Sequence, residues 1–105
     1  MLPTSWVEAA TATAGIATAT KAAKTTGSHV LSCVIASYSD PTISGTLTIT
    51  ITVEGTAESL VHYVHGADVV PLELRGDTDT AVVAALASGG GAVVGKVIMV
   101  GSSEG

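Results

Sequence analysis

The sequence predicts an all-β fold: a single-domain antiparallel β-sandwich, jelly-roll-like, with an extended N-terminal arm. Three observations carry this. Thr46–Val53 alternates strictly, with Leu47, Ile49, Ile51 and Val53 on one face and Thr46, Thr48, Thr50 and Thr52 on the other. A strand points successive side chains to opposite sides, so one face is apolar and the other hydroxylated. Turn signals recur roughly every 8–12 residues, the spacing of sandwiches and barrels. No helical stripe of about ten residues interrupts the apolar runs, which excludes βαβ units and a parallel sheet.

The elements follow in order. Residues 1–24 form an Ala/Thr-rich arm or first strand, and residues 25–105 the sandwich. In Ala9–Lys24 the threonines favour strand and the alanines helix, and the phase reverses near Gly15 and Lys21. That reads as two short extended pieces, or as an arm plus one strand that orders on a partner. Under the arm reading, a chain lacking residues 1–16 keeps a folded core. His29–Ser37 is the first long apolar run, and Ser39-Asp-Pro41 breaks it with turn chemistry. Gly45–Val53 follows, and Glu54-Gly55 gives a hairpin signal into Ala57–His65. After Gly66-Ala-Asp68, Val69–Leu74 carries Pro71, which cannot donate a ladder bond and so marks an edge or bulged strand. Arg75-Gly-Asp-Thr-Asp79 is a polar loop, Thr80–Leu86 a short strand, Gly89-Gly-Gly91 a flexible reversal, and Ala92–Val100 a closing buried strand.

Composition narrows the function classes. The chain has 105 residues, no Phe, one Trp and two Tyr, so Val, Ile, Leu and Ala must build the core. These bury less area each than aromatics, and at about 25 cal/mol per Å² the core is thin. Charged residues make up 12% of the chain, about half the usual share. A thin core beside a surface poor in charge points to apolar surface covered by other chains, the alternative being a compact monomer with a Thr- and Ser-rich skin. Nine acids stand against four scattered bases, Lys21, Lys24, Arg75 and Lys96. Without a basic stripe or interleaved aromatics, neither nucleic acid nor an anionic membrane is an expected partner. No apolar run approaches the roughly 18 residues of a membrane span, and no basic segment with an apolar core suggests a signal peptide. Cys33 is the lone cysteine, so no intrachain disulfide forms, and its apolar run argues for a buried, inert thiol.

No constellation carries a chemical signature. His62-x-x-His65 followed by Asp68 is the nearest to a metal site, but on a strand the two histidines point to opposite faces. Asp77 and Asp79 could approach Ca²⁺, although a calcium loop brings more oxygen ligands, and turn capping is the simpler role. Arg75-Gly76-Asp77 spells an adhesion tripeptide, too short to carry weight. The triglycine lacks the Lys-Ser/Thr of a phosphate loop, and no nucleophile sits on an elbow. No catalytic residue, cofactor or metal is therefore expected.

Several segments carry a resemblance: Ala19-Thr-Lys-Ala-Ala23, Gly27-Ser-His-Val30, Ile35-Ala-Ser-Tyr-Ser39, His65-Gly-Ala-Asp68, Pro71-Leu-Glu-Leu-Arg-Gly76, and Val94-Gly-Lys-Val97 with Gly101. From Ala17 onward the chain resembles small tailed-phage virion proteins of the capsid cement and head-decoration type. The resemblance implies a β-sandwich module on the outer capsid, a homotrimer bound to the major capsid protein, made in the host cytoplasm and found on the virion. It transfers no site residues. Trp6, Val7 and Ile16 are the candidate contacts with capsid or neighbouring protomers. The alternatives are a head-fibre or tail-associated module, and a carbohydrate-binding or adhesion sandwich using the Asp77/Asp79 loop and exposed aromatics among Trp6, Tyr38 and Tyr63.

Overall fold

The computed structural model describes residues 4–105, and the first three residues of the 1–24 segment lie outside them. The described chain forms eight strands: β1 Thr4–Thr13, β2 Ala17–Lys21, β3 Ser28–Tyr38, β4 Ser44–Val53, β5 Thr56–His65, β6 Ala67–Arg75, β7 Val82–Leu86 and β8 Val94–Glu104. They build two four-stranded sheets with the orders β1-β8-β3-β6 and β2-β7-β4-β5, and every pairing is antiparallel. Apart from the β4–β5 hairpin, each connection crosses from one sheet to the other. This is the strand order of a jelly roll.

The alternation seen in Thr46–Val53 places Leu47, Ile49 and Ile51 fully inside. Across the sandwich they face Leu31, Val34, Val97 and Met99, also buried. Ala17 and Ala19 of β2 and Val82, Ala84 and Leu86 of β7 fill the inward positions of those strands, small and aliphatic as a core short of aromatics requires.

The Ala/Thr segment takes the strand form, in two pieces that belong to both sheets. β1 runs alongside β8 from Thr4↔Ser103 to Thr13↔Val94, and β2 pairs with β7. Residues 4–21 therefore do not project as a free arm, and a chain cut at residue 16 would lose an edge of the sandwich with its Trp6. Ala14 at φ 55° makes the reversal between them. Pro71 lies on β6, an edge strand, opposite Cys33 where the register shifts, a setting that tolerates a missing N–H.

The two buried aromatics each lie against a glycine of β8. Trp6 pairs across the strands with Gly101, where a Cβ would approach its ring to 2.6 Å. Tyr38 pairs with Gly95 and sends its hydroxyl to the Ala87 carbonyl, 2.8 Å away. Burial raises the Tyr38 phenol above its ordinary pKa.

Candidate functional site

The outward faces of the two sheets differ in chemistry. On β2-β7-β4-β5 the ladder register aligns Thr18, Ala85, Thr48 and Val61 in one row and Thr20, Val83, Thr50 and Ser59 in the next. Thr46 beside Tyr63 and Thr52 beside Ala57 extend the face. Among the described residues no Asp, Glu, Lys or Arg stands on it, and His65 beside Ser44 lies at its end. Tyr63 is 79% exposed and Val61 58%, so this face ends at β5 in a protruding apolar rim.

On β1-β8-β3-β6 two rows cross all four strands. Val7, Val100, Cys33 and Pro71 form one, and Ala9, Ile98, Ile35 and Val69 the other. A bulge at Ser32 brings Cys33 opposite Val100 and keeps Leu31 and Val34 inward on either side. Val7 and Val69 are more than half exposed. Lys96 stands beyond one end of this apolar band, with Ser37 beside it. Glu73, Arg75 and Glu104 stand beyond the other, Arg75 paired with Glu104. Four strands at about 4.8 Å and two rows about 6.6 Å apart give the band a footprint of roughly 250 Å².

A cavity of about 450 Å³ opens between the β1 and β2 edges, framed by Trp6, Lys21, Lys24, His29 and Ser103. His29 Nε2 lies 2.7 Å from the Ala22 carbonyl, so it carries the proton, and Nδ1 accepts from the Ser103 hydroxyl at 2.6 Å. His29 is 1% exposed and Ser103 5%. A substrate carbonyl has no approach to that hydroxyl, and the pair acts as a structural tie. Trp6 meets the His29 ring edge-on at 5.7 Å, with Lys21 Nζ 5.4 Å above its own ring. Its indole Nε1 is buried with no hydrogen-bond partner among the described residues.

The candidate residues separate accordingly. Val7 and Ile16 are 62% and 64% exposed, but Trp6 is 8% exposed and belongs to the core. On an Ala/Thr segment read as an arm across a partner, Trp6 reads as a contact, and only the pairing with Gly101 shows where it packs. Of the three candidate contacts the structure thus places Trp6 inside, while Val7 and Ile16 stand exposed. Of the three aromatics named for a sugar platform, Trp6 and Tyr38 are buried, leaving Tyr63 alone.

The titratable clusters serve the scaffold. His62 and His65 lie on opposite faces of β5: His62 Nε2 reaches Asp68 Oδ2 at 2.5 Å, while His65 bonds Ser44. The His62 hydrogen bond, with the Val69 amide behind it, holds the Asp68 carboxyl below the usual range. Asp77 accepts from the backbone N–H of Glu54 at 3.0 Å and of Gly55 at 2.7 Å, one on each oxygen. Its carboxylate thus clasps the β4–β5 hairpin, turned away from the presentation an adhesion tripeptide needs. No group of three or more His, Cys, Asp or Glu side chains among the described residues is placed to hold a metal.

Two rows of outward apolar residues escaped the sequence reading because their strands looked simply buried. The available signal was parity. His29–Ser37 and Val97–Val100 are apolar at both odd and even positions, the mark of a strand covered on both faces. No protein-family model matches the chain, and neither does any curated protein.

Proposed function

We propose that this chain is a non-enzymatic virion structural protein that decorates the outer surface of a phage capsid and stabilises the shell. The observation that carries the reading is the uncharged outward face of β2-β7-β4-β5, a hydroxyl and apolar surface rimmed by Val61 and Tyr63. Such a face, on a rigid sandwich, suits broad contact with another protein. Threonine hydroxyls can pair with a neighbour's backbone, and no charge has to be desolvated. The partners in this reading are the major capsid protein and further copies of the chain, the resemblance implying three. The segmental likeness to capsid cement proteins supports the same reading.

The test is to locate the protein in purified particles by electron microscopy. Density of this size repeating over the shell is expected. Confinement to a few sites at the tail would select the head-fibre or tail-associated module instead, and absence from the particle would refute both. A Val61→Asp, Tyr63→Asp double variant keeps the sandwich and is expected to lose shell occupancy at least tenfold.

A further inference from the structure

We infer that two copies of this chain pair face to face through the outward surface of the β1-β8-β3-β6 sheet, antiparallel, about a two-fold axis running across the strands. The inference stands independently of the virion reading.

The surface is self-complementary in charge. Lys96 at one end of the apolar band contributes +1, and at the other end two acids, Glu73 and Glu104, with one base, Arg75, sum to −1. Lys96 and Glu104 both point outward from the same strand, β8. A two-fold axis across the strands, passing between the two apolar rows, reverses one copy over the other. Each Lys96 then approaches the acidic end of the second copy, and the Val100 row of one copy meets the Ile98 row of its mate. An axis along the strands would instead set like ends together. Contacts of this isologous kind close after two copies.

The area suffices, with little margin. Four strands at about 4.8 Å and about eight residues at 3.3 Å cover roughly 500 Å² on each copy, or 1,000 Å² in the pair. That is the lower bound of specific interfaces and corresponds to a reversible dimer. Apolar residues at both parities of β3 and β8 are the second argument, since a strand of that pattern is normally covered on both sides. The closed pair differs from the homotrimer that the resemblance implies, and mass distinguishes them.

Cys33, expected from the sequence to be a buried thiol, is instead half-buried on the outward face near the centre of the band, and as the only thiol it supplies the readout. With facing sheets about 10 Å apart, the two thiols come within reach of a short bismaleimide. The experiment treats the full chain with bismaleimidoethane and follows mass by sedimentation over a range of concentrations. Expected are a reversible monomer–dimer equilibrium, covalent dimer in proportion to the dimer present, and at least a tenfold weaker association for Ile98→Asp. Lys96→Glu is expected to weaken it and to reverse its salt dependence, because a −1 end then faces a −1 end and added salt screens the repulsion. A trimer, or a dimer whose Cys33 residues do not cross-link, overturns the inference. So does a chain that stays monomeric over the whole concentration range, because the face would then belong to another protein. The cross-link is read on the unaltered chain, so the outcome does not depend on any variant folding.

Discussion

His29 and Ser103 join the start of β3 to the end of β8 through one buried hydrogen bond, 2.6 Å from hydroxyl to Nδ1. The same ring reaches the Ala22 carbonyl, so three separate segments close on one side chain. A Ser103→Ala substitution leaves Nδ1 buried without a donor and is expected to cost about 1–2 kcal/mol. His29→Ala also removes the edge-on contact with Trp6 and opens a void, for about 2–4 kcal/mol. Urea unfolding measures both, and an unchanged midpoint for Ser103→Ala would show that the tie contributes nothing.

Gly45 is fixed by Tyr38. A Cβ at Gly45 would overlap the Tyr38 hydroxyl, the group that bonds Ala87. Gly45→Ala is expected to destabilise by about 2–3 kcal/mol, as overpacking does. Tyr38→Phe, losing only the hydrogen bond, should cost about 1 kcal/mol. In the Tyr38→Phe background Gly45→Ala should cost less, so a double-mutant cycle with no coupling would contradict this assignment.

Removing β1 should unfold the sandwich, not free it. Without residues 1–13 the outer ladder of β8 loses its partner and the core loses Trp6. The truncated chain is expected to aggregate through the bare β8 edge or to lose cooperative melting. A sharp melting transition within a few degrees of the full chain would show β1 to be dispensable.

Asp68 and Asp40 contribute to the acid limb of stability. Asp68 is lowered chiefly by the His62 hydrogen bond, and Asp40 by the Thr42 amide and then the Thr42 hydroxyl. A carboxyl held below its unfolded value stabilises the fold above about pH 3.8 and loses that contribution as pH falls through the folded value. Asp68→Asn should therefore flatten the fall in melting temperature below pH 4 and lower stability at neutral pH. A variant with the same acid slope as the parent would exclude Asp68 from it.

Asp77 compensates for an unfavourable turn. Glu54 holds φ 51° and Gly55 φ 80°, a pair of left-handed positions that favours Asn-Gly. Asp77→Ala, losing two backbone bonds to a carboxylate, is expected to cost about 2 kcal/mol. Glu54→Asn should recover about 0.5–1 kcal/mol. Calcium should leave the melting temperature unchanged, because both carboxylate oxygens already accept backbone N–H groups; a rise of several degrees would restore the calcium-loop reading.

The sequence by itself determined the all-β class, the positions of β3 to β8 to within three residues except for the extension of β8 to Glu104, the Glu54-Gly55 hairpin and the edge position of Pro71. These are local matters: a period of two, a φ-permissive pair and a missing N–H act within a few residues of the chain. It also fixed the opposed faces of Leu47 and Thr48. Tertiary structure alone decided which strands became neighbours, because ladder partners such as Trp6 and Gly101 lie far apart in the chain. Pairing between distant strands made Trp6 core instead of contact, and joined the Ala/Thr segment to both sheets. It also aligned Val7, Val100, Cys33 and Pro71 into a band that no single segment contains. Each strand carries one member of that row, and only lateral hydrogen bonding sets them side by side.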